Sequence, residues 1–314
     1  MLTVLIATHN GSRTLPEVLG AYCLLAPPAG GWKLVIVDNA STDGTRELIH
    51  SFDARLPVSY LFEAEQGQNV ARNRALFSID GDLVVLSDDD AIPRPDWLVQ
   101  MRSAADANPD FGIFGGVILP RWKAPPDPWL LRWAPLQPCF AITDPGWEEG
   151  PIKSDFVFSP NMAIRAEVFR EGRRFDESIG PRRGSYAMGS ETELMRRLTE
   201  EGIRAWHVRR SVVEHVIRST QMTPEWILAR AVRYGRGQYR WRRREPGTPS
   251  GFLASVPSLL RGFLSLSARI AAANWRGDSE EAFRRRWDRN CLIGRAAEAF
   301  ARSEEKPGLR ARSR

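Results

Sequence analysis

The residues Leu83-Val84-Val85-Leu86-Ser87 lead straight into Asp88-Asp89-Asp90. Three adjacent carboxylates repel one another, and each raises its neighbours' pKa. A strand end tolerates them when a divalent cation neutralises the charge. Hard oxygen ligands suit Mg2+ or Mn2+, which then bridges to phosphate oxygens. The plain alternative is a solvated acidic turn, but the apolar strand before it favours the metal reading. Asp38 ends the run Leu34–Val37 in the same manner. A carboxylate there can accept hydrogen bonds from a ribose or a base N–H. The plain alternative is a helix cap, a role that Ser41 or Asp43 already fills. Thr8 and Asn10 follow the first apolar run, and Asn39 follows Asp38. Polar groups thus gather after three strand ends, and that shared position says more than any one of them.

The elements that must carry these groups alternate. Thr3 to Ala7 reads as a buried strand. Thr14-Leu15-Pro16-Glu17 has the form of a capping box, and Leu15, Val18, Leu19, Tyr22 and Leu25 recur at helical spacing. Further strands are expected at Leu34–Val37, Val58–Phe62 and Leu83–Leu86, with helices through Leu48, Ile49 and Phe52 and near Asn69–Phe77. Repeated βα units imply a mainly parallel sheet with helices on both faces. Ligands of such sheets bind outside the carboxyl ends of the strands. Residues 121–150, rich in Pro and Trp, read as an irregular segment. Their tryptophans suit stacking on a sugar or pinning of a loop, and the sequence leaves both open. Asn161–Ile164 is strand-like, Glu191–Leu198 is helical, and Arg204–Val216 holds one or two short strands. Beyond Pro224 the pattern is helical and basic. Gly180 to Gly189, with Arg182 and Arg183, reads as a lid.

Composition narrows the classes. The chain has 314 residues, 43% of them hydrophobic and 26% charged, as in a soluble globular protein. Cys23, Cys139 and Cys291 are far apart and form no CxxC pair, which argues against a zinc site and points to a reducing compartment. The start, MLTVLIATHN, reads as a first strand and not a signal peptide. No GxGxxG follows it, which counts against a dinucleotide cofactor. From Arg218 onward there are 21 Lys/Arg against 9 Asp/Glu, a net +12, and the rest of the chain is −6. An acidic body suits a metal site, and a basic tail suits a polyanion.

The segments VLIATHN, VIVDNASTDGT, GQNVARN, LVVLSDDDAIP, NMAIRAEVF, FDESIG, GSETELMRRL and VVEH stand in the order seen in family-2 glycosyltransferases of the GT-A fold. The chain resembles that family over residues 1–217, taken as the catalytic domain, with 1–120 its nucleotide-binding half and 121–217 its acceptor and base half. The resemblance implies a Rossmann-like α/β fold and inverting transfer from a nucleoside-diphosphate sugar to a glycan or lipid-linked acceptor. Thr8, Asn10, Asp38 and Asn39 would line the nucleotide pocket, and Arg72 would lie near it or near the diphosphate. Asp88 would face the ribose, and Asp89 belongs with the nucleotide-sugar contacts. Asp90 would be the main carboxylate for Mn2+ or Mg2+, and His215 would complete the metal or diphosphate site. The acid of Gly189-Ser190-Glu191-Thr192-Glu193 would be the base. The family's usual Gly-Glu-Asp is here Gly-Ser-Glu, so Glu191 takes the Asp position and Glu193 remains a second candidate. His9 lies between two of these pocket residues and is read as their neighbour, and His50 and His207 carry no supporting context.

The basic region 218–314 holds a helical stripe, Phe252, Val256, Leu259, Phe263, Leu266 and Ile270, in a helix expected to begin near Pro257. Arg242–Arg244 and Arg284–Arg286 flank it. The stripe suits either packing on the catalytic domain or an anionic membrane surface, with Trp275 and Trp287 nearby. Nucleic acid ranks third, since no nucleic-acid motif accompanies the charge. A cytoplasmic protein, peripheral on the inner face of the cell membrane, is the matching expectation. Two rivals remain. A nucleotidyltransferase would carry a Lys in a Gly-rich first loop, whereas this loop is Thr8-His9-Asn10-Gly11. A non-catalytic nucleotide-sugar-binding protein would not turn over donor.

Overall fold

The computed structural model describes residues 1–182, 185–242 and 252–304. The apolar runs form strands β1 (Leu2–Thr8), β2 (Trp32–Asn39), β3 (Val58–Glu63) and β4 (Leu83–Asp88). Then follow β5 (Ala91–Pro93), β6 (Ile113–Trp122), β7 (Gly150–Ile152) and β8 (Met162–Arg165). The last are β9 (Gly180–Arg182), β10 (Ser185–Ala187) and β11 (Ala205–Ile217). The helices between them are α1 (Leu15–Tyr22), α2 (Thr45–His50), α3 (Gln68–Ala75) and α4 (Trp97–Ala107). Four short ones follow, α5 (Pro128–Trp133), α6 (Leu136–Phe140), α7 (Ala166–Arg170) and α8 (Ser190–Glu200). Three longer helices end the described chain: α9 (Pro224–Arg242), α10 (Phe252–Trp275) and α11 (Ser279–Glu304).

The main sheet has the order β3-β2-β1-β4-β8-β6-β11-β5, with β7 also on β11. β3, β2, β1 and β4 are mutually parallel, and β6 pairs parallel with β11. β8 runs antiparallel between β4 and β6, an insertion that local periodicity does not reveal. Alternate residues of each strand face opposite sides of a sheet. Leu2, Val4, Ile6, Leu34, Ile36, Leu83 and Val85 therefore join α1 and α4 in one core. Leu5, Val35, Val37, Val84 and Leu86 join α3, α7 and α8 in the other. The chain runs outward from β1 to β3, then returns to β4 on the far side of β1. That reversal is a topological switch point, the place where such sheets bind ligands.

Three local expectations are corrected. Thr14 makes no side-chain cap, because its backbone is already helical at φ −101, ψ −41. Its hydroxyl turns back to the Gly11 carbonyl at 3.4 Å instead. The segment Arg204–Val216 is one continuous strand, β11, with a register shift between Val208 and Val212. Asn161 fills the shift, donating to the carbonyls of Val117 and Ser211 at 2.9 Å each and accepting from Trp97 Nε1 at 2.8 Å. Helix α10 begins at Phe252, so Pro257 lies inside it. The missing N–H falls in the second turn.

The chain forms two compact units. One comprises Met1–Ala124, Leu136–Ser185 and Ser190–Arg218. The other comprises Pro125–Pro135, Tyr186–Gly189 and Ser219–Arg314. In the second unit α9 and α11 cross at glycine. A Cβ on Gly235 would run into the Cys291 carbonyl, and one on Gly294 into the Val232 carbonyl. Arg240 and Glu298 pair at 2.7 Å across that crossing. α10 packs on α11, with Gly262 against Leu292 and Ile270 buried. Most of the expected stripe is thus spent inside this unit, with Val256, Leu259 and Leu266 half-buried. The side chain of Phe252, and Arg243 and Arg244, lie outside the described residues.

Candidate active site

The loops after β1 and β2 are latched together. Asn10 sits at φ +56, a left-handed conformation that Asn adopts more readily than most residues. Its N–H donates to Ser41 Oγ at 2.9 Å, and its Oδ1 accepts from the Thr42 N–H at 2.8 Å. Asp43 accepts from the N–H and hydroxyl groups of both Ser12 and Thr45. Slight burial opposes its charge, but those hydrogen bonds bring its carboxyl down to about 2. Asp38 is buried, with Oδ1 accepting from the Ser41 N–H at 3.0 Å and Oδ2 from the Tyr60 hydroxyl at 2.9 Å. Asn39 ties down the loop after β3, accepting from the Gly67 N–H at 2.7 Å and donating to the Glu65 carbonyl at 2.6 Å.

A cavity of about 480 Å3 opens beyond these strand ends. It is lined by Ala7, Thr8 and His9 after β1, Asn39 after β2, Gln66 to Gln68 before and within α3, Asp89 after β4, and Pro181 and Arg182. Three of the residues singled out from the sequence, Thr8, Asn39 and Asp89, line it. Asn10, Asp38, Arg72, Asp88, Asp90, Glu191 and His215 do not. His9 does, with its ring Nδ1 2.8 Å from the Asn39 carbonyl. From the sequence His9 is only a neighbour of the pocket residues, and Gln66, Gly67 and Gln68 carry no assigned role, although the strand-end rule applied to β3 points to the last three. Arg182 belongs to the expected lid, whose Arg183 is outside the described residues.

Each carboxylate of the triplet has its own partner. Asp88 meets Arg72 Nη2 at 3.1 Å and accepts from Ser159 Oγ at 3.1 Å. Arg72 is buried over the Phe175 ring, and its Nη1 finds no acceptor among the described residues. Asp89 accepts from Thr8 Oγ1 at 2.5 Å. Burial, and then the charge of Asp90, push its carboxyl up to about 7 against that hydrogen bond. Asp90 Oδ1 lies 3.3 Å from His215 Nε2, and Oδ2 lies 3.9 Å from Arg218. Burial works against a charged His215 ring, but Asp90 and the Phe140 carbonyl outweigh it and raise its pKa.

The fit to a metal follows from this donor set. Among the described residues no three His, Cys, Asp or Glu side chains gather as a ready-made cluster. Asp90 and His215 offer one carboxylate oxygen and one ring nitrogen. Two protein donors suit an ion that takes its remaining ligands from water and phosphate, not a fully caged one.

The segments behind the cavity are stitched by α3. Asn69 donates to the Asp176 carbonyl at 2.8 Å. Asn73 accepts from the Phe175 N–H at 2.9 Å and donates to Glu177 at 2.9 Å. These bonds aim the chain from Phe175 to Gly180 toward Pro181 and Arg182 in the cavity wall. Gly180 sits at φ +103, and a Cβ there would fall 2.6 Å from Ser190 Oγ at the start of α8. Glu191 is half-buried, whereas Glu193 is buried and paired with Arg197 at 2.8 Å. The tryptophans of residues 121–150 make ring contacts within the protein: Trp122 with Phe140, Trp129 and Trp133 with Phe283, and Trp147 with Phe156 and His207.

The sequence profile of glycosyl transferase family 2 matches residues 3–173, more than half of the chain. The chain belongs to this family. It is 22% identical over 233 residues to a glucosyl-dolichyl phosphate glucuronosyltransferase of Haloferax volcanii, covering 73% of this chain and 74% of that protein. It is 31% identical over 111 residues to a validoxylamine A glucosyltransferase of Streptomyces hygroscopicus, covering 35% of this chain and 26% of that one. Among solved structures it is similar to the mannosyltransferase PcManGT from Pyrobaculum calidifontis in complex with GDP-Man and Mn2+. That match has a TM-score of 0.64 at 20% identity, over 96% of this chain and 88% of the other. It is also similar to S. aureus TarS 1-349 in complex with UDP-GlcNAc, with a TM-score of 0.55 at 14% identity over 97% and 92%. These likenesses establish the GT-A fold, a curled, mostly parallel sheet with helices C-terminal to it. No helix among the described residues is long and apolar enough to cross a membrane.

Proposed function

We propose that this glycosyltransferase moves a sugar, with inversion, from a nucleoside-diphosphate sugar to a hydroxyl of a glycan or lipid-linked acceptor. The observation that carries this is the 480 Å3 cavity at the switch point, walled by Thr8, Asn39 and Asp89. Solved relatives of the same fold hold GDP-Man or UDP-GlcNAc, which supports a nucleotide-sugar donor here.

In this reading Thr8, Asn10, Asp38 and Asn39 shape the nucleotide end. The latch between the first two loops sets that shape before the ligand arrives, which lowers the ordering cost of binding. Arg72 and Asp88 hold each other at the diphosphate and ribose, with Asp89 beside them. Asp90 and His215 would hold Mn2+ or Mg2+. Such an ion supplies electrostatic stabilisation of the departing diphosphate. Glu191 takes the proton of the acceptor hydroxyl as it attacks the anomeric carbon from the face opposite the diphosphate. One displacement inverts that carbon, so no carboxylate nucleophile is needed. We place the enzyme in the cytoplasm, peripheral to the inner face of the cell membrane.

The test is a thermal-shift panel of nucleotide sugars with and without Mn2+, followed by turnover of the donor that binds. Ligand bound to the native state raises its melting temperature. At least one donor should stabilise the protein more with Mn2+ than with a chelator, and its product should carry the inverted anomer by NMR. A retained anomer would end the inverting mechanism. Binding without any turnover on glycan or lipid-linked acceptors would favour a non-catalytic binding protein.

A further inference from the structure

Helix α10 has a second apolar face, opposite in use to the stripe that packs on α11. Leu260 is 57% exposed, Leu264 60% and Trp275 89%. Leu260 and Leu264 are one turn apart, and Trp275 lies three turns beyond Leu264 on the same side. Ala271, also exposed, stands between them on that side, and Phe263, the stripe member nearest this face, is itself exposed. A lone exposed apolar residue needs no explanation, but large side chains in line along one helix do.

Charge decides what covers this face. The 24 residues of α10 contain no Asp or Glu. Arg261 and Arg269, and Arg276 just past its end, are exposed and make no ion pair among the described residues. At 100° per residue Arg261 borders the line of Leu260, Leu264 and Trp275, and Arg276 and Arg269 follow farther round the helix on that same side, where their long side chains can reach back to lipid phosphates. A second copy laid antiparallel on the stripe would set this arginine flank against itself, because a two-fold contact brings the same patches together. An anionic surface meets it with opposite charge, and a bilayer also takes up the leucines and the tryptophan. Trp favours the level of the lipid headgroups, where one end of the ring is apolar and the other wet.

We infer that the outward face of α10 docks on an anionic lipid bilayer, with Leu260, Leu264 and Trp275 entering the headgroup–acyl boundary and Arg261, Arg269 and Arg276 meeting lipid phosphates. The helix lies in the plane of the interface and does not span it. This stands apart from the transferase reading, since the assay that tests it contains no sugar donor.

The experiment is co-sedimentation of the full chain with vesicles of phosphatidylcholine and phosphatidylglycerol in equal parts, against vesicles of phosphatidylcholine alone. The protein should bind the mixed vesicles, and binding should weaken as salt rises. Each of Arg261→Gln, Arg269→Gln and Arg276→Gln should weaken it by roughly fivefold. Leu264→Ser combined with Trp275→Ser should weaken it by about tenfold or more. The melting temperature should hold in every variant, because these side chains are exposed. No sedimentation with mixed vesicles at low salt overturns the proposal. Equal binding by the wild type and the Leu264→Ser, Trp275→Ser variant, both folded, overturns it too. A dimer seen by light scattering that the same variant dissolves, without vesicle binding, would assign the face to a second copy instead.

Discussion

His215 Nε2 stands 3.3 Å from Asp90 Oδ1, while its Nδ1 lies 2.6 Å from the Phe140 carbonyl. A carbonyl oxygen only accepts, so Nδ1 carries a hydrogen and Nε2 is the nitrogen turned to the carboxylate. The register explains the meeting. His215 of β11 pairs with Ala91 of β5, and Asp90 is the residue before Ala91. The Val216 N–H donates to the Asp90 carbonyl at 2.9 Å and fixes the turn. A ring oriented by a backbone carbonyl is the usual arrangement of a histidine that ligates metal through its other nitrogen.

The first prediction follows from that pair. By calorimetry a nucleoside diphosphate should bind the wild type more tightly with Mn2+ than with a chelator. Asp90→Ala should abolish the difference, and His215→Ala should shrink it. Equal affinity with and without Mn2+ in the wild type would remove the metal from this site.

The second concerns the cavity wall. Gly180 combines φ +103 with a neighbour, Ser190 Oγ, that leaves no room for a Cβ. Gly180→Ala should destabilise the fold by roughly 1–3 kcal/mol, the range for a strained backbone position. It should also weaken donor binding, because Pro181 and Arg182 line the cavity. Urea denaturation and calorimetry read the two effects separately. A variant as stable as the wild type would show that Ser190 yields without strain.

The parts of this design that the sequence revealed are local ones. β-branched apolar runs and helical spacing are properties of neighbouring residues, and they located β1 to β4 and the helices between them. The strand-end rule pointed to Thr8, Asn10, Asp38, Asn39 and the triplet Asp88 to Asp90, of which Thr8, Asn39 and Asp89 line the cavity. Partners distant in sequence stayed hidden. Nothing near Asp38 announces Tyr60 as its donor, and nothing near Asn10 announces Thr42. Strand β8 enters between β4 and β6 from some 75 positions beyond β4. The same distance conceals why Pro181 and Arg182 reach the cavity: the link runs through Asn69 and Asn73 of α3. The capping box failed for a different reason, since the motif was present but the Thr14 backbone had already turned helical.

The third prediction is a pH dependence of stability at His207. This ring is buried edge-on against Trp147, and its Nε2 has no partner among the described residues. Burial lowers its pKa, and the nearby Glu149 only partly offsets that. The unfolded chain takes up a proton near pH 6.5, the ordinary value, while the folded chain does so only at lower pH. The unfolded state therefore binds more protons in that window, and stability falls as pH drops below about 6.5. The contribution is fully present above that pH. Its slope cannot exceed about 1.4 kcal/mol per pH unit for one group. His207→Phe should flatten the fall of urea-derived stability between roughly pH 6.5 and 5. An unchanged slope would mean that His207 already takes its proton in the fold.

The last prediction separates Glu191 from Glu193, which lie two positions apart on the first turn of α8. Residues two apart on a helix do not share a face. Glu193 is 2% exposed and forms a two-pronged pair with Arg197, whose Nη2 also donates to the Arg174 carbonyl at 2.6 Å. Its carboxylate is committed to holding α8 against the chain before β9. Glu191 is half-buried. A positioned carboxylate can take the proton of an attacking hydroxyl. Glu191→Gln keeps the shape and removes the basicity. It should lower kcat by roughly 10² to 10⁴, the usual contribution of a positioned base, and leave donor affinity and melting temperature near wild type. Glu193→Gln should behave in the opposite way. It leaves the Arg197 guanidinium without its counter-charge, so it should cost on the order of 1–3 kcal/mol of stability, with kcat of the folded fraction largely kept. Single-turnover rates with saturating donor, alongside thermal melts, distinguish the two patterns. Loss of turnover in a folded Glu193→Gln, with Glu191→Gln still active, would move the base to Glu193. Activity in both would place the proton acceptor elsewhere in the site.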